Sequence, residues 1–265
     1  MGTCYHSFVT ILDSILLGIV EGATEFLPVS STGHLILASS LLGIAQTDFT
    51  KTFEIAIQLG AILAVVVLYW RTIFDFELIK KLIAAFLPTA VIGLTLYHLV
   101  KTYLLGNVLV VIASLFVGGV IFIFFERWYG TKENTALPDT PITYRQAFLI
   151  GLFQSIAVIP GVSRSGATIL GGLALGIARP AIVEFSFLLA VPTMAAATGL
   201  DLLKTGMAFT AHEWLLLSVG FVVSFAVAIP VIRWLLAYVR NHSFTSFGVY
   251  RIVIALVFAA FLFHI

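Results

Sequence analysis

The chain has 265 residues, of which 60% are hydrophobic and only 10% are charged. This composition is far more apolar than that of an ordinary soluble domain, and it indicates a membrane protein. The formal net charge is only +1, so nothing argues for a nucleic acid, and none is expected as a partner. A single cysteine, Cys4, excludes an internal disulfide framework.

The first predicted element is an interrupted apolar segment. Its apolar run stops at Glu21, and Pro28 predicts that the helix ends at about Leu27. A polar cluster at residues 30–34 follows, and then a second apolar run begins. Each arm has about 10–15 residues, which is too short to cross a bilayer. The segment is therefore predicted to form a re-entrant hairpin, whose non-helical turn must be covered by protein or by water.

Six longer apolar stretches have the length of about 20 residues that a helix needs to cross a bilayer. These predicted spans lie at roughly 53–70, 83–100, 107–125, 181–203, 213–232 and 246–263. The longest polar loop, at about 127–145, is too short to fold alone. We therefore predict an all-α polytopic membrane protein with a single membrane domain over residues 1–265.

The interrupted hairpin occurs twice, on either side of the polar loop. LLGIVEGATEFLPVSSTGHLIL at residues 16–37 aligns with LIGLFQSIAVIPGVSRSGATIL at residues 149–170, with 7 identities in 22 positions at an offset of 133. The second copy is predicted to break at Pro160 and Gly161. Membrane proteins use such repeats, with broken and polar segments, to build a binding site near the middle of the bilayer.

The repeat divides the chain into two halves, at about 1–130 and about 140–265. Each half contains one re-entrant hairpin and three transmembrane helices. A re-entrant hairpin returns to the side from which it entered, whereas three spans end on the opposite side. The second half therefore begins on the other face of the membrane. This predicts an inverted-topology repeat, in which the two hairpins approach each other from opposite sides.

Lysine and arginine predict the orientation in the membrane. Nine of them fall on one side, namely Arg71, Lys80, Lys81, Arg127, Lys132, Arg145, Arg179, Arg233 and Arg240. The other side receives Lys51, Lys101 and Lys204, and Arg164 and Arg251 are set aside as intramembrane residues. The asymmetry predicts that the first side is cytoplasmic and that both termini and the first hairpin face outward.

Two carboxylates lie on the first arm of the first hairpin. Glu21 and Glu25 are four residues apart, so their side chains share one face of a helix. Such a pair either binds a divalent cation or shares a proton between its two carboxyl groups. A carboxylate inside the membrane costs about 2.5–3.5 kcal/mol on insertion scales, which favours a functional or paired role over a chance position.

The second hairpin carries an arginine among glycine and hydroxyl residues. Arg164 supplies a planar fork that suits phosphate, and the start of a helix offers free N–H groups. Gly166 allows close approach of the backbone to a ligand. Further hydroxyl donors are Ser163, Ser165 and Thr168. The segment is predicted to bind an oxyanion. The alternative is an N-cap serine beside an arginine that pairs with a buried glutamate.

The first hairpin has the same local pattern, formed by Ser30, Ser31, Thr32, Gly33 and His34. His34 has the chemistry of a general acid or base, of a nucleophile and of a ligand. The alternative is a membrane-buried histidine that is bonded to a backbone carbonyl.

Two segments resemble the signature motifs of a known family. EGATEFLPVSSTGHL and PGVSRSGATI are similar to the two motifs of the bacterial undecaprenyl-diphosphate phosphatase family, also called the bacitracin-resistance protein family. The segment FEIAIQLGAILAVV at residues 53–66, the chain length and the number of spans extend the resemblance over essentially the whole chain.

The resemblance implies an activity, a cofactor and a location. The family hydrolyses undecaprenyl diphosphate, a C55 isoprenyl diphosphate, to undecaprenyl phosphate and inorganic phosphate. This recycles the lipid carrier for peptidoglycan synthesis, with bacitracin resistance as a consequence. The implied cofactor is a divalent cation, Mg²⁺ or Ca²⁺, and the implied partners are the polyprenyl diphosphate lipid and the bilayer. The implied location is the bacterial plasma (inner) membrane, with the active site open toward the outer (periplasmic) face.

The same resemblance implies the roles of individual residues. Glu21 and Glu25 resemble the essential acidic pair and are the expected metal ligands. Ser31 and His34 resemble the catalytic candidates, and Arg164 resembles the phosphate-binding arginine. The residues expected to bind the diphosphate are Ser30, Thr32, Gly33, Ser163, Ser165, Gly166 and Thr168. Three nucleophiles stay open at this point: Ser31, His34 and a metal-bound water.

Two other functions fit parts of the sequence. A lipid phosphatase of the acid-phosphatase type also uses SGH-like and SR-like motifs, but the SRSG here has no histidine soon after it and no upstream KxxxxxxRP element. A lipid transporter or flippase is the non-enzymatic alternative, because inverted repeats with broken helices are typical of alternating access. The sequence does not define the oligomeric state, and a homodimer is one assembly that it allows.

Overall fold

The computed structural model describes residues 9–104, 107–130, 141–205 and 209–264. The α-helices of this part are α1 (Ile11–Thr24), α2 (Ser31–Leu41), α3 (Asp48–Ala56), α4 (Gln58–Leu68), α5 (Phe76–Leu99), α6 (Val108–Gly130), α7 (Tyr144–Ser155), α8 (Arg164–Ala174), α9 (Arg179–Thr205), α10 (Ala211–Tyr238) and α11 (Thr245–His264). No strand occurs among the described residues, which confirms the all-α prediction. Cys4 and Lys132 lie outside the described residues.

Six helical segments of the described chain are long and apolar enough to cross a membrane, as predicted. They are Asp48–Leu68, Phe76–Leu99, Val108–Gly130, Arg179–Leu200, Ala211–Tyr238 and Thr245–Leu262. The first of them consists of α3 and α4, which meet at Ile57. The protein is therefore a multi-pass helical membrane protein.

The two hairpins, α1–α2 and α7–α8, repeat each other in structure as well as in sequence. Thr10 forms a capping box with Asp13 before α1, and Thr143 forms one with Gln146 before α7. These two caps are separated by the same offset as the sequence repeat. The second arms, α2 and α8, are both 11 residues long. The repeat therefore extends to the helix starts, to these caps and to the length of the second arms, whereas the first arms have 14 and 12 residues.

The first arm ends earlier than the sequence predicts, at Thr24 rather than at about Leu27. Pro28 has no N–H to donate to the carbonyl oxygen of Thr24, and a proline disfavours helical angles in the residue before it, so the helix has to end before Pro28. Glu25 keeps helical dihedral angles, and its N–H donates to the carbonyl oxygen of Glu21 at 2.9 Å. The two carboxylates therefore share one face of the arm.

Each hairpin packs against a span of the other half of the chain. α1 lies along α10, and α7 lies along α5. Glycines at equivalent repeat positions allow these contacts. A Cβ on Gly18 would lie 2.7 Å from the carbonyl oxygen of Gly220, and a Cβ on Gly151 would overlap the carbonyl oxygen of Ala85. Small residues commonly bring membrane helices this close. The two halves are thus interlocked.

Candidate active site

The two hairpin turns share an uncommon backbone conformation. Ser30 precedes α2 with a φ of 73°, and Ser163 precedes α8 with a φ of 78°. Within the described ranges these are the two non-glycine residues with positive φ. Each serine hydroxyl accepts a hydrogen bond from a backbone N–H three residues on, from Gly33 at 3.3 Å and from Gly166 at 3.1 Å. Backbone strain of this kind costs about 1–3 kcal/mol per residue and clusters at functional sites.

The two turns lie close to each other. A Cβ on Gly33 would lie 3.6 Å from the Cα of Gly161 in the other hairpin, which is an ordinary van der Waals distance. Gly161 has a φ of 91°, and a Cβ there would lie 2.8 Å from the carbonyl oxygen of Val111 in α6. The turns therefore meet each other against α6, and they bring the starts of α2 and α8 together.

A hydrogen-bonded chain of side chains crosses between the hairpins. Ser31 Oγ donates to Glu25 Oε2 at 2.5 Å, and Arg164 Nη2 donates to Glu25 Oε1 at 2.6 Å. Ser165 Oγ adds a second link, because it donates to the carbonyl oxygen of Leu27 at 2.9 Å. Glu25 thus joins the serine of its own hairpin to the arginine of the other one.

Arg164 is held from two sides and keeps one donor free of protein partners. Nη1 donates to the carbonyl oxygen of Ser186 in α9 at 2.9 Å, and the hydroxyls of Ser186 and Thr168 lie 2.6 Å apart. The capping serine and the arginine–glutamate pair of the alternative interpretation are both present. However, Nε of Arg164 is buried and has no hydrogen-bond partner in the described structure. That donor suits an anionic ligand.

Glu21 is the second group with unpaired buried atoms. Its side chain is fully buried, and neither carboxylate oxygen has a hydrogen-bond partner among the described residues. Glu25 lies close enough to interact with it electrostatically, as does Arg164. A buried carboxyl group without a partner is costly unless it binds a cation or holds a proton. Both predicted roles of the acidic pair are therefore compatible with this geometry.

His34 is bonded at both ring nitrogens. Nδ1 lies 2.8 Å from the carbonyl oxygen of Ser30, which only accepts, so Nδ1 carries the proton of the neutral ring. Nε2 lies 2.9 Å from the hydroxyl of Tyr250 in α11, and the two rings are stacked at 5.6 Å. The backbone-bonded alternative for His34 is thus observed. Its hydrogen bonds go to Ser30 and Tyr250 and not to Ser31.

Thr32 faces a different part of the site. It lines a cavity of about 30 Å³ together with Glu54 and Gln58, and this volume is enough for a water molecule. Glu54 accepts hydrogen bonds from Ser39 Oγ at 2.6 Å and from Gln46 Nε2 at 3.2 Å. Thr32 thus lines this cavity, whereas Ser31 is hydrogen-bonded to Glu25. The other predicted hydroxyls, those of Ser30, Ser163, Ser165 and Thr168, lie at the two turns and the start of α8.

Sequence reasoning missed three residues that support the site. Ser186 holds Arg164, and Tyr250 holds His34. Arg251 donates to backbone carbonyls of both turns. The signal for Arg251 was present, because it is a lone arginine in an apolar span. Ser186 and Tyr250 are ordinary residues for a membrane helix, and nothing in their pattern marks them.

The fold and the site define a class of protein: a multi-pass helical membrane protein with a buried polar site where two broken hairpins meet. The profile of the family described as bacitracin resistance protein BacA matches residues 14–257. The chain therefore belongs to this family.

Similar proteins carry the name undecaprenyl-diphosphatase. The one from Aquifex aeolicus is 56% identical over 250 residues, which cover 94% of this chain and 97% of that protein. The one from Persephonella marina is 51% identical over 252 residues, or 95% of this chain and 98% of the relative. A Sulfurihydrogenibium protein is 50% identical over 249 residues, with coverage of 94% and 98%.

Proposed function

We propose that this protein hydrolyses undecaprenyl diphosphate to undecaprenyl phosphate and inorganic phosphate. The observation that carries the proposal is the chain Ser31–Glu25–Arg164, which joins a hydroxyl, a carboxylate and a guanidinium with a free Nε across the two hairpins. The names of the similar proteins support the substrate. The reaction regenerates the lipid carrier of peptidoglycan synthesis, from which bacitracin resistance follows.

Ser31 is the nucleophile in this proposal. Its Oγ attacks the terminal phosphorus and passes its proton to Glu25, to which it is already hydrogen-bonded. The bond from phosphorus to the bridging oxygen breaks, and the lipid monophosphate leaves. A water molecule then attacks the phosphoserine, Ser31 regains a proton, and inorganic phosphate departs with net release of one proton. His34 is a poorer nucleophile here, because both of its nitrogens are engaged.

Arg164 stabilises the charge that develops during this transfer. Phosphoryl transfer depends mainly on positioning and on neutralisation of the phosphoryl oxygens. The buried Nε supplies a donor for one of those oxygens, while Nη1 and Nη2 fix the plane of the guanidinium. The N–H groups at the starts of α2 and α8 add further donors for the diphosphate.

A divalent cation is the cofactor in this proposal, and Glu21 is its main protein ligand, because the orphaned oxygens of Glu21 are hard ligands. Glu25 lies beside Glu21, but its two oxygens already accept from Ser31 and Arg164, and the described residues contain no group of three or more His, Cys, Asp or Glu side chains around a metal site. Glu21, with Glu25, would hold Mg²⁺ or Ca²⁺, and such an ion when bound supplies positive charge that offsets repulsion between the carboxylates and the diphosphate.

The distribution of charge supports a location for the site. The asymmetry of lysine and arginine supports a plasma (inner) membrane protein with an inverted-topology repeat and a site open to the outer face. This arrangement gives the diphosphate head group access from outside, while the isoprenyl tail stays in the bilayer. A homodimer is compatible with it.

The test is phosphate release from undecaprenyl diphosphate by purified protein, together with a search for phosphoserine after rapid quenching. We expect release by the parent protein, phosphate attached to Ser31, and loss of both in Ser31→Ala. The matched control is Ser218→Ala, since Ser218 is an exposed serine whose hydroxyl donates to the carbonyl of Trp214 in its own helix. Lipid movement across vesicles without phosphate release would instead support the transporter alternative.

A further inference from the structure

Arg251 is a fully buried cation in the middle of α11. In the described part of the chain it forms no ion pair, and its donors go to backbone carbonyls instead. A buried charge without a carboxylate partner is expensive, and in a membrane span it indicates a functional role. The carbonyls that it binds show what that role is.

The guanidinium of Arg251 joins both hairpin turns to α6. Nη1 donates to the carbonyl oxygens of Pro28 and Val162, both at 3.1 Å, and Nη2 donates to that of Gly161 at 2.9 Å. Further bonds reach α6, at Ser114 O (3.1 Å) and Leu115 O (3.4 Å).

The three turn carbonyls, those of Pro28, Gly161 and Val162, lie one or two residues before the strained serines. Pro28 is two residues before Ser30, and Val162 is next to Ser163. Strained backbone persists only where the surrounding contacts over-determine it. One rigid fork therefore fixes the two turns relative to each other.

We propose that Arg251 is a positioning residue for the hydrolysis, one that sets the distance between Ser31 and Arg164. This inference rests on the proposed function, because those two residues come from different hairpins and must meet on one phosphoryl group. A misplacement of about 1 Å in such a site costs about 100-fold in rate. Lysine cannot replace the arginine, because its single ammonium has three donors and lacks the planar fork.

The first test is Arg251→Lys, which keeps the charge and removes the fork. We expect kcat per folded molecule to fall by about 10- to 100-fold, with KM within about threefold, because alignment and not binding is lost. The control is Arg179→Lys. Arg179 is also buried, but its two Nη atoms donate to the carboxylate of Glu126, at 2.6 and 2.7 Å. We expect Arg179→Lys to lower the yield of folded protein more than it lowers kcat per folded molecule.

A second test keeps the arginine and displaces it. A Cβ on Gly118 would overlap Nη2 of Arg251, so Gly118→Ala must displace the guanidinium from its present position. Gly119→Ala is the matched control at the same α6–α11 interface, because its Cβ would lie 2.6 Å from the carbonyl oxygen of Gly248 and 2.7 Å from Ile252 Cγ1. It would meet Arg251 only at Cβ, at 3.2 Å, and not at the guanidinium. We expect the larger loss of kcat in Gly118→Ala.

Two outcomes would overturn the inference while the parent enzyme is active. One is a kcat for folded Arg251→Lys within twofold of the parent; the other is an equal kcat loss in Gly118→Ala and Gly119→Ala. If Arg251→Lys does not fold, the comparison of kcat between Gly118→Ala and Gly119→Ala tests the inference instead. A parent protein that releases no phosphate would instead overturn the proposed function, and the positioning role with it.

Discussion

The substitution Arg164→Lys tests the phosphate-binding role directly. Lysine can keep a contact with Glu25, but it loses the anchor on Ser186 and the free Nε donor. A hydrogen bond to a charged group is worth about 1.5–3 kcal/mol. If the lost Nε bond forms to the phosphoryl group in the transition state, about 2–3 kcal/mol corresponds to about a 30- to 150-fold lower kcat/KM.

The assay is steady-state phosphate release, normalised to the folded fraction found by size-exclusion chromatography. Arg233→Lys serves as control, because Arg233 is exposed in the described structure. We expect Arg164→Lys to insert and purify like the parent, since its ion pair is retained. Near-normal turnover by this variant would show that Arg164 is only structural, and the reasoning about its free donor would be refuted.

Two further predictions concern the metal and the topology. Exhaustive chelation with EDTA should stop hydrolysis, and added Mg²⁺ or Ca²⁺ should restore it. Glu21→Gln should weaken the binding of Ca²⁺ that calorimetry measures. Activity that survives chelation would favour a proton shared between Glu21 and Glu25. In a cysteine-free background, cysteines placed at 48 and 265 should react with an impermeant thiol reagent in intact cells, whereas those at 78 and 135 should be protected. Positions 135 and 265 lie outside the described residues, and labelling of 135 from outside would contradict both the orientation and the hairpin assignment.

The hairpins were predictable because their signals are local. Pro28 and the short apolar arms are sufficient to predict a break, and the repeat predicts a second one. Pro28 predicts that α1 ends before it, but it does not determine how far before, and the last helical residue is Thr24 rather than Leu27.

The pairing of site residues could be predicted only in part. The motifs identify Glu25 and Arg164, but which oxygen of Glu25 meets Ser31 and which meets Arg164 depends on how the two turns touch. The contact of His34 with Tyr250 joins residues 216 positions apart, and no local pattern encodes it. Arg251 was visible as an isolated charge, while its carbonyl partners exist only after the hairpins meet.

The interlocked packing of the hairpins has a consequence for synthesis of the protein. α1 leaves the ribosome early, but α10, against which it packs, begins 200 residues later. At about 5–20 residues per second, this leaves a delay of about 10–40 seconds. During that time the first arm lacks the helix against which most of it packs. Arg251 arrives later still, so the bonds that join the two turns form only when the last helix is inserted.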